Sequence, residues 1–310
     1  MYRKLLFILS LVTLILINGC QKEQLIIDRY SKIPPDAIKE LPENDFSPPR
    51  LHSNEYKKPV PLGTINTAGA EDSPFILADR KELYFFFTPD VSVPPEKQLL
   101  DEVTGIYVSK YSDGAWQEAE RVILQNPGKL ALDGCEFVQY DTMLFCTARE
   151  GYTGLHWFSA KRKNDQWTSW KNADFDQEFE VGELHIHDNE LYYHSSKEGG
   201  KGGTDIWMLT NIDGRWQDPV NVEAVNSEVD DGYPFITADG QEMWINRWYM
   251  GTPAVFRSKK IDGQWSKPEL TISQFAGEPT LDEEGNIYFV HHYYKNGQMI
   301  EADIYVAEKK

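Results

Sequence analysis

Basic residues are scarce in this 310-residue chain: 31 Lys and Arg stand against 49 Asp and Glu, a formal net charge of −18. Such a field repels phosphate backbones and anionic lipid surfaces, which argues against nucleic acid as a partner. Long apolar runs are missing too. The one apolar stretch, Leu5 to Ile17, is shorter than the ~20 residues a helix needs to cross a bilayer. There are three cysteines, Cys20, Cys135 and Cys146. No Gly-x-Ser-x-Gly occurs, and Cys135 and Cys146 fall within strand-like segments, so neither Ser-His-Asp nor Cys-based catalysis finds support. The Gly-rich run Gly199 to Gly203 lacks the strand-to-helix setting and the Lys-Ser/Thr ending of a phosphate loop. Aromatic residues, by contrast, make up 13% of the chain beside 22 Gly and 17 Pro, the composition of short strands and many turns.

Those aromatics are periodic. Tyr107, Trp157, Trp207, Phe256 and Tyr305 lie 49 or 50 residues apart, and Trp116, Trp167, Trp216 and Trp265 follow four of them. A period of this length means one supersecondary unit repeated, each copy incomplete alone. Each repeat reads as four strands. The inner strand is SPFILA, CEFVQY, ELHIHD, YPFITA or EPTLDE, and after a turn the second is ELYFFF, TMLFCT, ELYYHS, EMWINR or NIYFVH. A third strand carries the spaced aromatic, and a turn such as Asp113-Gly or Asp213-Gly opens the fourth at its Trp. The chain stops after a third strand, whereas Tyr56-Lys-Lys-Pro-Val-Pro-Leu has the layout of a fourth, like Trp216-Gln-Asp-Pro-Val-Asn-Val. The expected fold is therefore an all-β, five-bladed β-propeller over 56–310, its N-terminal strand closing the last blade and removing an edge.

Ahead of it, Arg3 and Lys4, the short apolar run and Gly19 before Cys20 describe an export signal over 1–19. The Ile17-Asn18-Gly19-Cys20 junction resembles the bacterial lipobox. That resemblance implies lipidation (palmitate among the acyl chains) at Cys20, a mature chain held to the cell envelope by lipid alone, and outer-membrane placement in a two-membrane host. Residues 20–55, with Pro34, Pro35, Pro42, Pro48 and Pro49, read as a tether. In an exported protein Cys135 and Cys146 are either a cross-strand disulfide or two buried thiols.

The stretch Ser195-Ser-Lys-Glu-Gly-Gly-Lys-Gly-Gly-Thr-Asp-Ile-Trp207, ending in Asp213-Gly-Arg-Trp216, resembles the PD40 (WD40-like) repeat of TolB-type bacterial envelope proteins; Tyr233-Pro-Phe-Ile-Thr-Ala-Asp-Gly is similar to its inner core. The resemblance implies architecture and a periplasmic or envelope setting, and binding scaffolds and enzymes share it.

Chemistry is expected where inner strands begin, because acids recur there: Glu71-Asp72, Asp133 with Glu136, Glu183, Asp230-Asp231 and Glu278. Like charges around one axis raise each other's pKa. A cation such as Ca²⁺ could relieve this, as could basic neighbours (Arg149, Lys197, Arg247) or backbone N–H groups. Non-repeated residues on the same face, Arg149, Arg247, Trp248 and His291, suit a sugar: rings for stacking, charged groups for hydroxyls. His185 and His187 share a strand face and with His194 or Glu183 form a weaker metal candidate. Two functions follow: a module binding a glycan or an envelope protein at its channel face, or a glycoside hydrolase or polysaccharide lyase using Asp72, Asp133, Glu183, Asp231 or Glu278.

Overall fold

The computed structural model describes residues 27–175 and 180–310. The signal segment and Cys20 lie outside the described residues. Among the described residues the fold is all-β, with α-helix confined to the single turn Pro95–Gln98. Among the described residues no helix is long and apolar enough to cross a membrane.

Successive strands pair antiparallel into meanders. The first contains Ala70–Leu77, Glu82–Thr88 and Gly105–Ser112, edged by Ala115–Trp116 and Glu120–Arg121. The second runs Ala131–Gln139, Thr142–Arg149, His156–Lys163, Gln166–Asn172, and the third Leu184–His187, Glu190–Ser195, Asp205–Ile212, Arg215–Asn221. The fourth is Asp231–Ile236, Glu242–Tyr249, Thr252–Ile261 and Glu269–Ser273, with Gln264–Trp265 hydrogen-bonded to its third strand. Ala276–Leu281, Ile287–Lys295 and Gln298–Ala307 form the last. Its fourth strand comes from the other end of the chain: Val60 and Pro61 pair with Val306 and Tyr305, and Tyr56 bridges Lys309.

The apolar core is divided between meanders. Tyr84, Ile106, Met143 and Phe145 join first to second; Trp157, Cys146, Leu191 and Trp207 join second to third. Tyr192, Ile206, Ile245 and Phe256 join third to fourth, and Trp244, Ile272, Phe289 and Tyr305 join fourth to last. Phe85, Phe87 and Tyr107 then meet Tyr288, Ile304 and Val306, so the last meander packs on the first.

This division explains why the repeat keeps its Trp. Trp167 meets Tyr84 of the preceding meander edge-on at 6.4 Å, Trp265 meets Tyr192 at 6.1 Å, and Trp116 meets Tyr288 across the closure at 6.0 Å. In the last meander Tyr56 takes that role, 6.2 Å from Trp244.

The described part of the Pro-rich segment is fastened to the domain. Arg50–Leu51 adds a strand beside Glu269–Ser273. Arg29 pairs with the fully buried Glu71 at 3.1 Å, Lys39 with Glu301 and Asp303, and Asp45 with His291 at 2.9 Å. The two strand cysteines form a disulfide, Cα atoms 5.4 Å apart. Cys146 lies opposite Gly134, and Cys135 stands in the bulge that follows. Displacement by the bulge lets the sulfurs meet, where flatly facing positions rarely fit.

Candidate functional site at the axial channel

Four inner strands share one irregularity. Pairing with the second strand skips two residues after Asp72, Gly134, Gly232 and Gly277. The first residue skipped (Ser73, Cys135, Tyr233, Glu278) has φ of 50 to 53°. Side chains other than Gly take such φ values only when the surrounding structure enforces them, and bulges re-aim side chains. Here the bulged residues and those after them turn toward the axis. They line a narrow cavity of about 60 Å³ to which every meander contributes: Ser73, Glu136, Glu183, Tyr233 and Glu278 among them.

Beside those residues the cavity is closed by rings. His185 stands 5.0 Å from Phe137, 4.8 Å from Phe235 and 6.2 Å from Phe75. Burial drives its pKa down to about 3, so it is a neutral member of this plug. That corrects the expectation of His185 as a binding group. His185, His187 and His194 do not converge: His194 Nε2 lies 3.0 Å from Glu183 while its Nδ1 accepts the Tyr233 N–H at 3.2 Å, and His187 Nε2 is 3.2 Å from the Ala238 carbonyl.

Asp133 and Asp231, expected at the entrance, are turned away from it. Asp133 accepts from Arg149 at 2.8 Å and Thr147 Oγ1 at 2.5 Å. Asp231 accepts from Arg247 Nε at 2.6 Å and from Ser227 N and Oγ at 2.7 Å each. All four partners of these two buried pairs are thereby committed, as is His291 on Asp45. The expected use of Arg149, Arg247 and His291 on a ligand, and of Asp133 and Asp231 in catalysis, is corrected to structural pairing. The physical reason is that a buried carboxylate needs a partner more than a ligand does.

Glu183 and Glu278 do line the axial cavity, as does Glu136, named from the sequence beside Asp133, and Asp72 lies against Glu278 together with His292, which was not among the candidates. His292 Nε2 lies 3.5 Å from Asp72 Oδ1, and Glu278 Oε2 accepts the Ser73 hydroxyl at 2.5 Å. Burial works against the Asp72 charge, yet His292 holds its pKa below the usual range. Glu278 is pushed well up by burial and by the charges of Asp72 and Glu183, and Glu136 up to about 8 by burial and the same neighbours. Within the cluster, burial thus favours the protonated form of Glu278 and Glu136, while His292 favours the charged form of Asp72. Ligand atoms of Asp72, Glu278 and His292 all lie within 4.8 Å of one another, and no other group of described residues has such spacing.

Outside this cluster the face is aromatic. Second strands end on the side where inner strands begin, as the pairs Ala131–Arg149, Asp231–Arg247 and Ala276–His291 show. Trp248, Tyr249 and Met250 stand exposed there, Trp248 at 49%. Tyr294 stacks on Phe275 at 4.7 Å and is 45% exposed, and Tyr152 is exposed on the second meander.

No family model matches the sequence, and no curated protein does. Solved structures do resemble the fold. An endo-arabinase from Bacteroides thetaiotaomicron is 15% identical with a TM-score of 0.50, over 81% of this chain and 96% of its own. A Bacteroides ovatus protein described as xyloglucan PUL GH43B is also 15% identical at 0.50, over 81% of this chain and 54% of its own. TolB from Acinetobacter baumannii is 12% identical with a TM-score of 0.47, covering 80% of this chain and 56% of its own. The neighbours are propeller proteins, and at these identities the likeness concerns the fold alone.

Proposed function

We propose that this chain is an exported, lipid-anchored five-bladed propeller that binds a glycan at its channel entrance. The exposed aromatic rim carries the reading. Trp248, Tyr249 and Tyr294 offer flat apolar faces beside polar groups, the pairing that pyranose and furanose rings stack on. Meander pairing and the five shared core clusters support the blade count. Attachment through Cys20 rests on the lipobox resemblance; Cys20→Ser should abolish palmitate labelling.

A binder is favoured over an enzyme by the channel. Its 60 Å³ is far below the ~300 Å³ at which ligand pockets begin. The competing reading, a glycoside hydrolase or polysaccharide lyase, draws on Glu278, whose pKa is pushed well up, beside Asp72, whose pKa is held down, and on the activities named for the neighbouring structures. Titration of arabinan, xylan and xyloglucan fragments with product chromatography on the same samples tests both. Binding lost in Trp248→Ala without products supports the module. Products lost in Glu278→Gln establish the enzyme.

A further inference from the structure

The inner strands break their own pattern at one place. Where four of them carry Gly134, Gly182, Gly232 and Gly277, the first carries Asp72. The glycines are kept for a reason. A Cβ on Gly232 would meet His194 at 3.2 Å, one on Gly277 would meet Asn246 at 3.3 Å, and one on Gly134 would meet Phe86 at 3.3 Å, each from the preceding meander's second strand. The corresponding neighbour of Asp72 is His292 of the last meander, and here a carboxylate oxygen faces the imidazole Nε2 at 3.5 Å instead of a close fit. Ring closure therefore brings a carboxylate against an imidazole at the axis, with the Glu278 carboxylate as third group.

A second observation lies in the axial cavity that Glu278 lines. Glu136 is 7% exposed, both its side-chain oxygens are without a hydrogen-bond partner, and it lines the axial space with Glu183 and Glu278. Neither Lys nor Arg lines that cavity. A buried, unpartnered carboxyl normally costs on the order of 1–3 kcal/mol and invites a positive group.

We propose that Asp72, Glu278 and His292 bind a divalent cation of the Zn²⁺/Mn²⁺ class at the channel mouth, with the unpartnered carboxyl oxygens of Glu136 behind it. The imidazole nitrogen decides the class. Ca²⁺ and Mg²⁺ take oxygen ligands, whereas Zn²⁺ and Mn²⁺ accept one nitrogen with carboxylates. Ligand atoms at ~2.0–2.2 Å from such an ion sit about 3–3.5 Å apart, as Asp72 and His292 already do at 3.5 Å. Glu278 closes the set by turning from the Ser73 hydroxyl. Water completes the coordination from the entrance side. The site does not require that the rim take a glycan.

The test is equilibrium dialysis of the chelator-stripped full chain against ZnCl₂, MnCl₂ and CaCl₂, with bound metal counted by mass spectrometry. One equivalent of Zn²⁺ or Mn²⁺ is expected at micromolar free ion, and at least tenfold less Ca²⁺ under the same conditions. Asp72→Asn and Glu278→Gln keep shape and remove repulsion, so they fold, and each should weaken binding at least tenfold, as should His292→Ala. His156→Ala, which removes the exposed His156–Asp174 pair, should leave it unchanged. No retained Zn²⁺ or Mn²⁺, a Ca²⁺ preference, or binding that survives Asp72→Asn and Glu278→Gln would overturn the proposal.

Discussion

Replacing Tyr56 with Ala should loosen the whole ring, although Tyr56 stands just after a Pro-rich leader. Its ring is 1% exposed, packs edge-on against Trp244, and belongs to the cluster joining fourth and last meanders. Removing a fully buried aromatic costs about 3–5 kcal/mol, of which about 0.5–1.5 kcal/mol belongs to the ring pair itself. For a domain of this size each kcal/mol lowers Tm by about 2–4 °C, so a fall on the order of 10 °C is expected. Tyr56→Trp makes the argument sharper, because Trp is what the other four repeats place there; its cost should stay under about 1.5 kcal/mol. Urea and thermal unfolding of the three proteins, followed by tryptophan fluorescence, give the comparison. A Tyr56→Ala chain melting within 2 °C of the parent would refute the claim that the N-terminal strand completes the last meander.

Other consequences are as direct. Arg247→Met strands Asp231 as an unpaired buried carboxylate and should cost about 3–5 kcal/mol in urea unfolding, whereas Lys57→Met, whose partner Glu308 is exposed, should cost under about 1 kcal/mol. Glu136 has a folded pKa near 8, above an unfolded value near 4.3. The folded state therefore holds the extra proton, and stability contributed by that group is complete below about pH 4 and lost as pH rises toward 8. In chelator, Glu136→Gln should thus be more stable than the parent at pH 8 and similar to it at pH 4; equal stability at both would contradict the burial argument. Reducing the Cys135–Cys146 bond, which spans 11 residues, should lower stability by about 2–3 kcal/mol in unfolding with and without dithiothreitol.

The fold was legible because its information is repeated. Spaced aromatics, the Asp-Gly turns and the Tyr56 strand all recur at one period, and the aromatic members mark contacts between meanders, as Trp116 on Tyr288 and Tyr56 on Trp244 show. The site was only half legible. Recurrent acids drew attention to Asp133 and Asp231, yet recurrence is the mark of a residue serving the repeat, and both are spent on Arg149 and Arg247. The signal worth following was the exception: Asp72 aligned with four glycines. Glu136 was named beside Asp133 but not put forward for catalysis, because the bulge, not strand alternation, turns it inward. His292 was passed over for His291, since sequence alone does not say which of two adjacent residues faces the axis. Nor did the Pro-rich segment reveal that Arg29, Lys39 and Asp45 would complete ion pairs on the domain.

Whether the entrance holds a sugar is answered most directly by calorimetric titration of one chain set, parent, Trp248→Ala and Tyr294→Ala, with arabinan and xylan oligosaccharides. Saturable binding by the parent, at least tenfold weaker in both variants and with the oligosaccharides recovered intact, is the predicted result. Shortened oligosaccharides, or affinity indifferent to both rings, would contradict it.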